Sequence, residues 1–206
     1  ARAQLELAQG LFDAGKFDQS AEEYLHYLET YSDPAGKAAA CEGRGWSLFR
    51  LGRFSEAAAA FDNARQLYES PEARAECLVK TGDSYLANGQ FQLAAEVYAS
   101  FIQKFPDSEH LPRAMFQKAT ALSNLANGKK DEAIAAYREI AETFPAHSLA
   151  EKALLRQAEI QESRNQWLEA IEGYSAVMER YPEGALRSRA LHQRGLALYR
   201  LFRFDE

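Results

Sequence analysis

The sequence predicts an all-α solenoid of five helix–turn–helix repeats followed by one terminal helix. Three observations predict it. A small residue returns with spacings of 37, 37, 37, 39 and 37 residues, at Ala8, Gly45, Gly82, Ala119, Ala158 and Gly195. A second series of small residues, each followed four positions later by Tyr or Phe, falls at Ser20, Ala57, Ala94, Ala133 and Ala170. A turn glycine separates the two series at Gly15, Gly52 and Gly89, and such a sustained period indicates a repeat array.

The repeat is clearest between Ala75 and Pro106, where two helical patterns flank a turn at Gly89. Pro106 ends the second pattern because proline cannot continue a helix. One such unit is too short to bury both of its faces, so it needs neighbours. Helices are predicted at about Arg2–Ala14 and Phe17–Tyr31, Ala35–Leu51 and Phe54–Tyr68, Pro71–Asn88 and Phe91–Phe105, Ser148–Arg164 and Trp167–Tyr181, and Ala185–Leu201.

The fourth repeat contains the one irregular spacing. Its first helix is predicted to start near Ser108 and to keep the register, whereas its second helix comes two residues late. The extra residues are expected in a hairpin loop at Asn124–Lys130, which is rich in Asn, Gly and Lys. The repeat boundaries are predicted at about 1–34, 35–70, 71–107, 108–146 and 147–183, with a partial repeat at 184–206.

The two ends of the sequence predict a piece of a longer protein, organised as a single repeat domain. The chain begins at Ala1 without an initiator Met, and it stops at Glu206 inside a repeat, just after Phe204 should open a second helix. The terminal helix would then lack its partner, and its apolar residues Leu198, Leu201, Phe202 and Phe204 would lose their cover. The prediction is either self-association through this C-terminal helix or disorder of the last few residues.

Composition excludes several classes of protein. A chain of 206 residues with 47% hydrophobic residues can bury a sizeable core, and no apolar run is long enough to span a membrane. The net charge of −6 argues against a broad basic surface that binds nucleic acid.

No pattern of catalytic or ligand-binding residues emerges, so no enzyme activity, cofactor or metal is predicted. The four histidines are far apart in sequence and lack metal-ligand spacing. Cys41 and Cys77 occupy core positions of successive first helices, where a free cysteine packs as a small hydrophobe; a disulfide remains the less favoured alternative. The Gly43-Arg44-Gly45 segment lies inside a predicted helix, which favours helix packing over phosphate binding.

These spacings resemble the tetratricopeptide repeat, on residues that include Gly82, Tyr85, Phe91, Ala94 and Tyr98. The chain departs from that family's pattern in its period of 37 rather than 34 residues and in lacking the usual first-helix Trp. Repeat ends such as Lys104-Phe105-Pro106 are also similar to those of bacterial cell-envelope members, among them the outer-membrane assembly lipoprotein and the Tol-Pal-associated periplasmic protein. The periplasm or cell envelope is therefore the suspected location, and the cytoplasm stays open.

The resemblance implies a superhelix whose first helices line a concave groove. Carried over position by position, the groove residues are Phe12, Glu42, Trp46, Phe49, Arg50, Lys80, Asp83, Arg113, Phe116, Lys152, Arg156, Arg189 and His192. Trp46 and Phe49, with Phe12 and Arg50 beside them, form either a binding cluster or packing between repeats, and the two hypotheses are evenly balanced. Lys152, Arg156 and Arg189 could hold an acidic peptide, although pairing with nearby glutamates is favoured.

The clamp with which some members of the family hold a chaperone C-terminus is incomplete here. Lys152 and Arg156 match one of its repeats, but Val79, Asp83 and Gln117 stand at the other positions. The sequence therefore predicts a non-catalytic scaffold that binds a peptide or protein segment in its groove. The alternatives are a structural assembly module that joins subunits or domains, and an accessory region of a larger enzyme.

Overall fold

The computed structural model describes residues 1–126 and 128–203, and these residues form eleven α-helices. The all-α solenoid class is confirmed, since successive helices pair as helix–turn–helix units. The helices are α1 (Arg2–Asp13), α2 (Phe17–Thr30), α3 (Pro34–Arg50), α4 (Phe54–Leu67), α5 (Pro71–Ala87), α6 (Phe91–Lys104), α7 (Leu111–Ser123), α8 (Lys130–Thr143), α9 (Ser148–Ser163), α10 (Trp167–Arg180) and α11 (Arg187–Arg200).

The chain divides into two compact units, Ala1–Leu111 and Pro112–Glu206. In the first unit α2 packs on α1 and α3, α4 packs on α3 and α5, and α5 packs on α6; α1 also contacts α3 directly. In the second unit α9 packs on α8 and α10, and α10 packs on α11. The single-domain arrangement and the repeat boundaries stay predictions.

Turn glycines connect the two helices of a repeat, and their positions locate the two extra residues of the fourth repeat. Gly15, Gly52 and Gly89 have φ of 74°, 76° and 70°, a left-handed conformation that glycine adopts without a steric penalty. Gly128, with φ of 80°, has the same role 39 residues after Gly89. The two extra residues therefore fall between the end of α7 and Gly128, as predicted; Asn127, inside that loop, lies outside the described residues.

Two helices begin later than the sequence predicts, because other hydrogen-bonding groups, one local and one distant in sequence, engage the residues before the first turn. The backbone of Ser108 accepts the Leu111 N–H at 2.9 Å and its hydroxyl accepts the His110 N–H at 3.2 Å, so α7 starts at Leu111 instead of Ser108. Similarly, the Glu151 carboxylate accepts the Leu186 N–H at 2.8 Å, and α11 starts at Arg187 instead of Ala185.

Side-chain N-caps are present at α3 and α5. Asp33 accepts a hydrogen bond from the Gly36 N–H at 2.7 Å, and Ser70 accepts one from the Ala73 N–H at 3.3 Å. In each helix a proline follows the cap, in the first turn where its missing N–H costs nothing. No helix in the described part of the chain is both long and apolar enough to cross a membrane.

The core of each unit consists of aromatic side chains from the second helices, seated on small residues of the first. Tyr98 and Phe61 are fully buried in the first unit, and Tyr137 and Tyr174 are buried in the second. Small side chains allow this approach because a Cβ on Gly82 would lie 2.7 Å from the Tyr98 ring. The predicted small positions Gly45 and Gly82 are therefore helix–helix contacts.

Candidate functional site

A groove of about 710 Å³ lies between α1 and α3 in the first unit. Its walls come from the first helices, as the family resemblance implied, and its lining combines carboxylates, aromatic rings and small residues. The lining residues are Leu5, Glu6, Gln9, Gly10, Asp13, Tyr24, Ala39, Glu42, Gly43, Trp46 and Tyr68. Two predicted site residues, Glu42 and Trp46, are therefore groove residues.

A buried ion pair fixes one wall of this groove. The Lys80 ammonium lies 2.5 Å from the Glu42 carboxylate and 2.8 Å from Glu76, and Lys80 is only 8% exposed. The Tyr68 hydroxyl donates a further hydrogen bond to Glu42 at 2.5 Å. Lys80 was predicted as a groove residue, but it lies beneath the surface and orients Glu42.

The pKa values of this cluster follow from its burial and its charges. Burial raises the pKa of the Glu42 carboxyl, but hydrogen bonds from Lys80 and Tyr68 outweigh it and leave that pKa below its usual value. For Lys80, burial lowers the pKa, yet the bonds to Glu42 and Glu76 raise it above the ordinary value. Both groups are therefore charged at neutral pH.

Trp46 is the exposed aromatic of the groove. Its ring contacts Phe61 edge-on at 5.4 Å between centroids, and the Lys80 ammonium lies 5.0 Å from its centroid. The side chain nevertheless stays 38% exposed. Trp46 therefore packs against Phe61, as one of the two alternatives predicts, and also presents a surface to solvent; the binding alternative stays a prediction.

The other members of the predicted aromatic cluster pack towards the hairpin turns. Phe12 contacts Phe17 at 5.3 Å, and Phe49 contacts Phe54 at 5.1 Å, both edge-on. The Arg50 guanidinium lies over the Phe17 ring at 4.5 Å. For Phe12 and Phe49 the structure supports packing, and they do not line the groove.

Asp83 holds a core residue. The Tyr98 hydroxyl donates to the Asp83 carboxylate at 2.5 Å, and two repeats earlier the Tyr24 hydroxyl donates to the Gln9 side chain at 3.0 Å. Gln9 in turn donates to Asp13 at 2.8 Å. The polar side chains on the first helices therefore satisfy buried tyrosine hydroxyls, which would be costly to leave without a partner.

The predicted basic residues of the second unit meet acidic and aromatic partners. Arg156 lies 2.8 Å and Arg189 lies 2.5 Å from Glu159, so the favoured hypothesis of pairing with glutamate holds for both. The Lys152 ammonium lies over the ring of Phe116, which is 7% exposed, at 5.2 Å. Arg113 is exposed on α7, and the His192 ring lies 3.2 Å from the Gln193 side chain on α11.

The remaining polar candidates show no reactive arrangement. Cys41 and Cys77 are free, buried and packed with Ala64. Burial raises the pKa of both thiols, and with help from Glu42 it brings that of Cys77 to about 12. Among residues 1–126 and 128–203, no three His, Cys, Asp or Glu side chains gather in a group that could hold a metal ion.

Among the lining residues that were not predicted as site residues, Tyr24 and Tyr68 come from second helices, whereas the predicted groove positions were all on first helices. Tyr24 belongs to the recurring series of aromatics, so the register could have placed it beside Gln9. Tyr68 stands at the end of α4, where an aromatic residue recurs at Tyr31, Phe105, Phe144 and Tyr181, so the register could have marked it as well.

Family models of the tetratricopeptide repeat match residues 5–74, 79–148 and 152–184. The chain therefore belongs to the tetratricopeptide repeat family. A search of curated protein sequences found no match. The resemblance to bacterial cell-envelope members, and with it the location, stays a prediction.

Solved structures share the fold at low sequence identity. One is YrrB, described as a TPR protein with an unusual peptide-binding site, with 21% identity, a TM-score of 0.65, and coverage of 93% of this chain and 90% of that one. Another is MamA from Desulfovibrio magneticus RS-1, with 17% identity, a TM-score of 0.67 and coverage of 89% and 96%. A third is the TPR2AB domain of yeast Sti1 in complex with pHSP90, with 16% identity, a TM-score of 0.51 and coverage of 94% and 84%.

Proposed function

We propose that the chain is a non-catalytic interaction scaffold that holds a segment of a partner protein in the α1–α3 groove of its first unit. The observation that carries this proposal is Trp46, a large aromatic side chain that stays 38% exposed within a groove of about 710 Å³. Tryptophan is enriched among the residues that dominate binding energy. The groove is also wide enough for side chains of an extended or helical segment.

Preorganisation supports the same function. Lys80, Phe61 and Phe49 hold the Trp46 indole from three directions, so little side-chain freedom is left to lose on binding. Two structural relatives, YrrB and yeast Sti1, are described as a peptide-binding protein and as a complex with pHSP90. Both proteins share the fold of this chain, which supports the proposal.

Removing Trp46 should abolish peptide capture. We expect a displayed library of random peptides to yield binders of the wild-type chain whose affinity falls more than about tenfold on Trp46→Ala, since a hot-spot residue contributes about 2 kcal/mol or more. Affinities by isothermal titration calorimetry, with circular dichroism to confirm folding, provide the measurement. Leu25→Ala is the matched control, because Leu25 on α2 is also 38% exposed but does not line the groove.

Two outcomes would contradict the proposal. If no peptide is enriched over a scaffold-free surface, the chain does not bind linear segments. If the enriched peptides bind Trp46→Ala and the wild type equally, they bind elsewhere.

The predicted assembly function is the second candidate, and the terminal helix favours it. Leu191 and Leu196 on α11 are 52% and 46% exposed, and Phe202 just beyond the helix is 79% exposed. Of the residues predicted to lose cover, Leu198 is buried and Leu201 is half-buried, while Phe204 lies outside the described residues. Apolar exposure concentrated at one helix is a feature of surfaces that associate.

Self-association through α11 should depend on those leucines. We expect sedimentation velocity at high concentration to show dimers or larger species for the wild type, and monomers for Leu191→Ser/Leu196→Ser. The control Leu7→Ser/Leu93→Ser alters residues of similar exposure, 49% and 41%, on other helices and should sediment as the wild type does. A wild type that remains monomeric would rule out assembly through this helix.

A further inference from the structure

The groove between α1 and α3 carries carboxylates and no cationic side chain in its lining. Glu6, Asp13 and Glu42 contribute the carboxylates, and none of the eleven lining residues is Lys, Arg or His. Given the proposed function of this groove as a binding surface, we infer that its partner is a cationic segment. An Arg or Lys of that segment meets Asp13 and Glu6 while its apolar stem packs on Trp46.

The neighbouring cations leave this negative charge largely uncompensated. Lys80 forms ion pairs with both Glu42 and Glu76, so one ammonium neutralises only one of two carboxylate charges. Arg2 pairs with Glu6 across one helical turn, where the two side chains are 92% and 63% exposed. An ion pair so exposed is worth little and exchanges readily for another partner.

Asp13 is oriented towards a ligand by its own neighbours. The Gln9 amide donates to Asp13 at 2.8 Å, and the Gln9 carbonyl oxygen is fixed by the Tyr24 hydroxyl at 3.0 Å. The chain of hydrogen bonds uses one acceptor site of the carboxylate and leaves the others available, because a carboxylate has about four. A guanidinium could therefore form a paired, charge-assisted contact there.

The negative charge of these carboxylates affects a side chain inside the groove. Burial raises the pKa of the Tyr24 hydroxyl, and the charges of Asp13 and Glu42 raise it further. Tyr24 lines the groove, so the potential at its hydroxyl is negative where a ligand would lie. The first unit as a whole is also acidic, since residues 1–111 contain 17 Asp and Glu against 10 Lys and Arg. Residues 112–206 are nearly balanced, with 13 Asp and Glu against 14 Lys and Arg.

Trp46 adds the second element of cation recognition. An aromatic face attracts ammonium and guanidinium groups, and the Lys80 ammonium already occupies such a position 5.0 Å from the Trp46 centroid. The exposed remainder of the ring can pack against the methylene stem of an incoming Arg or Lys. Arginine should bind better than lysine, because its planar fork matches a carboxylate.

Synthetic peptides of one length test this inference by calorimetry. They share alternating leucines and differ only in having Arg, Gln or Glu at the remaining positions. We expect the Arg peptide to bind at least about tenfold more tightly than the Gln peptide, the Glu peptide to show no binding, and the Arg affinity to fall as salt is raised.

Two charge-removing variants locate the interaction. Glu6→Gln/Asp13→Asn should lower the affinity for the Arg peptide about tenfold. The control Glu22→Gln/Glu29→Gln removes two exposed charges from α2 and should leave that affinity within about twofold of the wild-type value. Equal losses in both variants would indicate general attraction to an acidic surface and overturn the inference. Failure of the Arg peptide to bind would also overturn it.

The same measurements distinguish failure of this inference from failure of the proposed function. If the Gln peptide binds as tightly as the Arg peptide and Trp46→Ala weakens both, the groove is a binding site that does not select charge. If peptides bind regardless of Trp46, the proposed function itself is wrong.

Discussion

Gly82→Leu should lower the free energy of unfolding by about 3 kcal/mol. A Cβ at this position would lie 2.7 Å from Cε1 and 2.8 Å from Cζ of Tyr98, closer than side chains pack. The Tyr98 ring is fully buried, and its hydroxyl donates to Asp83 at 2.5 Å. Overpacking alone costs up to about 3 kcal/mol. If the ring moves aside to relieve it, the hydrogen bond to Asp83 is lost and the buried hydroxyl is left unsatisfied, which is also costly.

Gly195→Leu is the matched control, since Gly195 holds the same place in the repeat. No heavy atom among the described residues lies within 4 Å of a Cβ built there. Leucine also has a helix propensity about 0.8 kcal/mol better than glycine. We therefore expect unchanged or slightly increased stability in urea unfolding. If Gly82→Leu costs less than about 0.5 kcal/mol, the contact between α5 and α6 is looser than the structure shows.

The helical framework could be predicted because it depends on local patterns. The turn glycines, the caps at Asp33 and Ser70, and the small residues facing aromatic rings each depend on residues near in sequence. The exceptions were the starts of α7 and α11. There a Ser108 turn and the distant carboxylate of Glu151 take the backbone groups that the first helical turn would use.

The register also contained an unused signal about the site. Gln9 with Tyr24 and Asp83 with Tyr98 are pairs 15 residues apart in which a polar group accepts the tyrosine hydroxyl. At the equivalent place Phe61 has no hydroxyl, and Trp46 packs edge-on against it. Trp46 therefore stands where Gln9 and Asp83 stand in their repeats, because its partner Phe61 has no hydroxyl that needs a polar acceptor.

The ion pair between Lys80 and Glu42 could not be predicted in the same way. The two residues are 38 positions apart, one more than the period, and their types do not recur in other repeats. Lysine is seldom buried, so a groove-facing Lys80 was the natural expectation. Its burial follows from two carboxylates, Glu42 and Glu76, and the Trp46 and Phe61 rings that the fold brings around its ammonium.

Lys80→Met should cost about 2 kcal/mol at pH 7. It keeps most of the apolar stem but leaves Glu42 and Glu76 without their shared ammonium. Breaking a fully buried ion pair costs about 3–5 kcal/mol. The loss here should be smaller because the Glu42 side chain is 26% exposed and water can solvate it. The double variant Glu42→Gln/Lys80→Met should recover part of the loss, since no unpaired charge remains at the groove wall.

The pH dependence separates charge from packing. In the wild type the pKa of Glu42 is lowered, so its contribution is present above the unfolded pKa of about 4.3 and is lost as pH falls through the folded value. Without Lys80, the charge and the hydrogen bond that offset burial are lost, so the pKa of Glu42 is higher in the folded variant than in the folded wild type and Glu42 is protonated at a higher pH. The stability gap between wild type and Lys80→Met should therefore narrow in urea unfolding between pH 7 and pH 4. A gap of constant size would mean that the loss comes from packing of the Lys80 stem under Trp46.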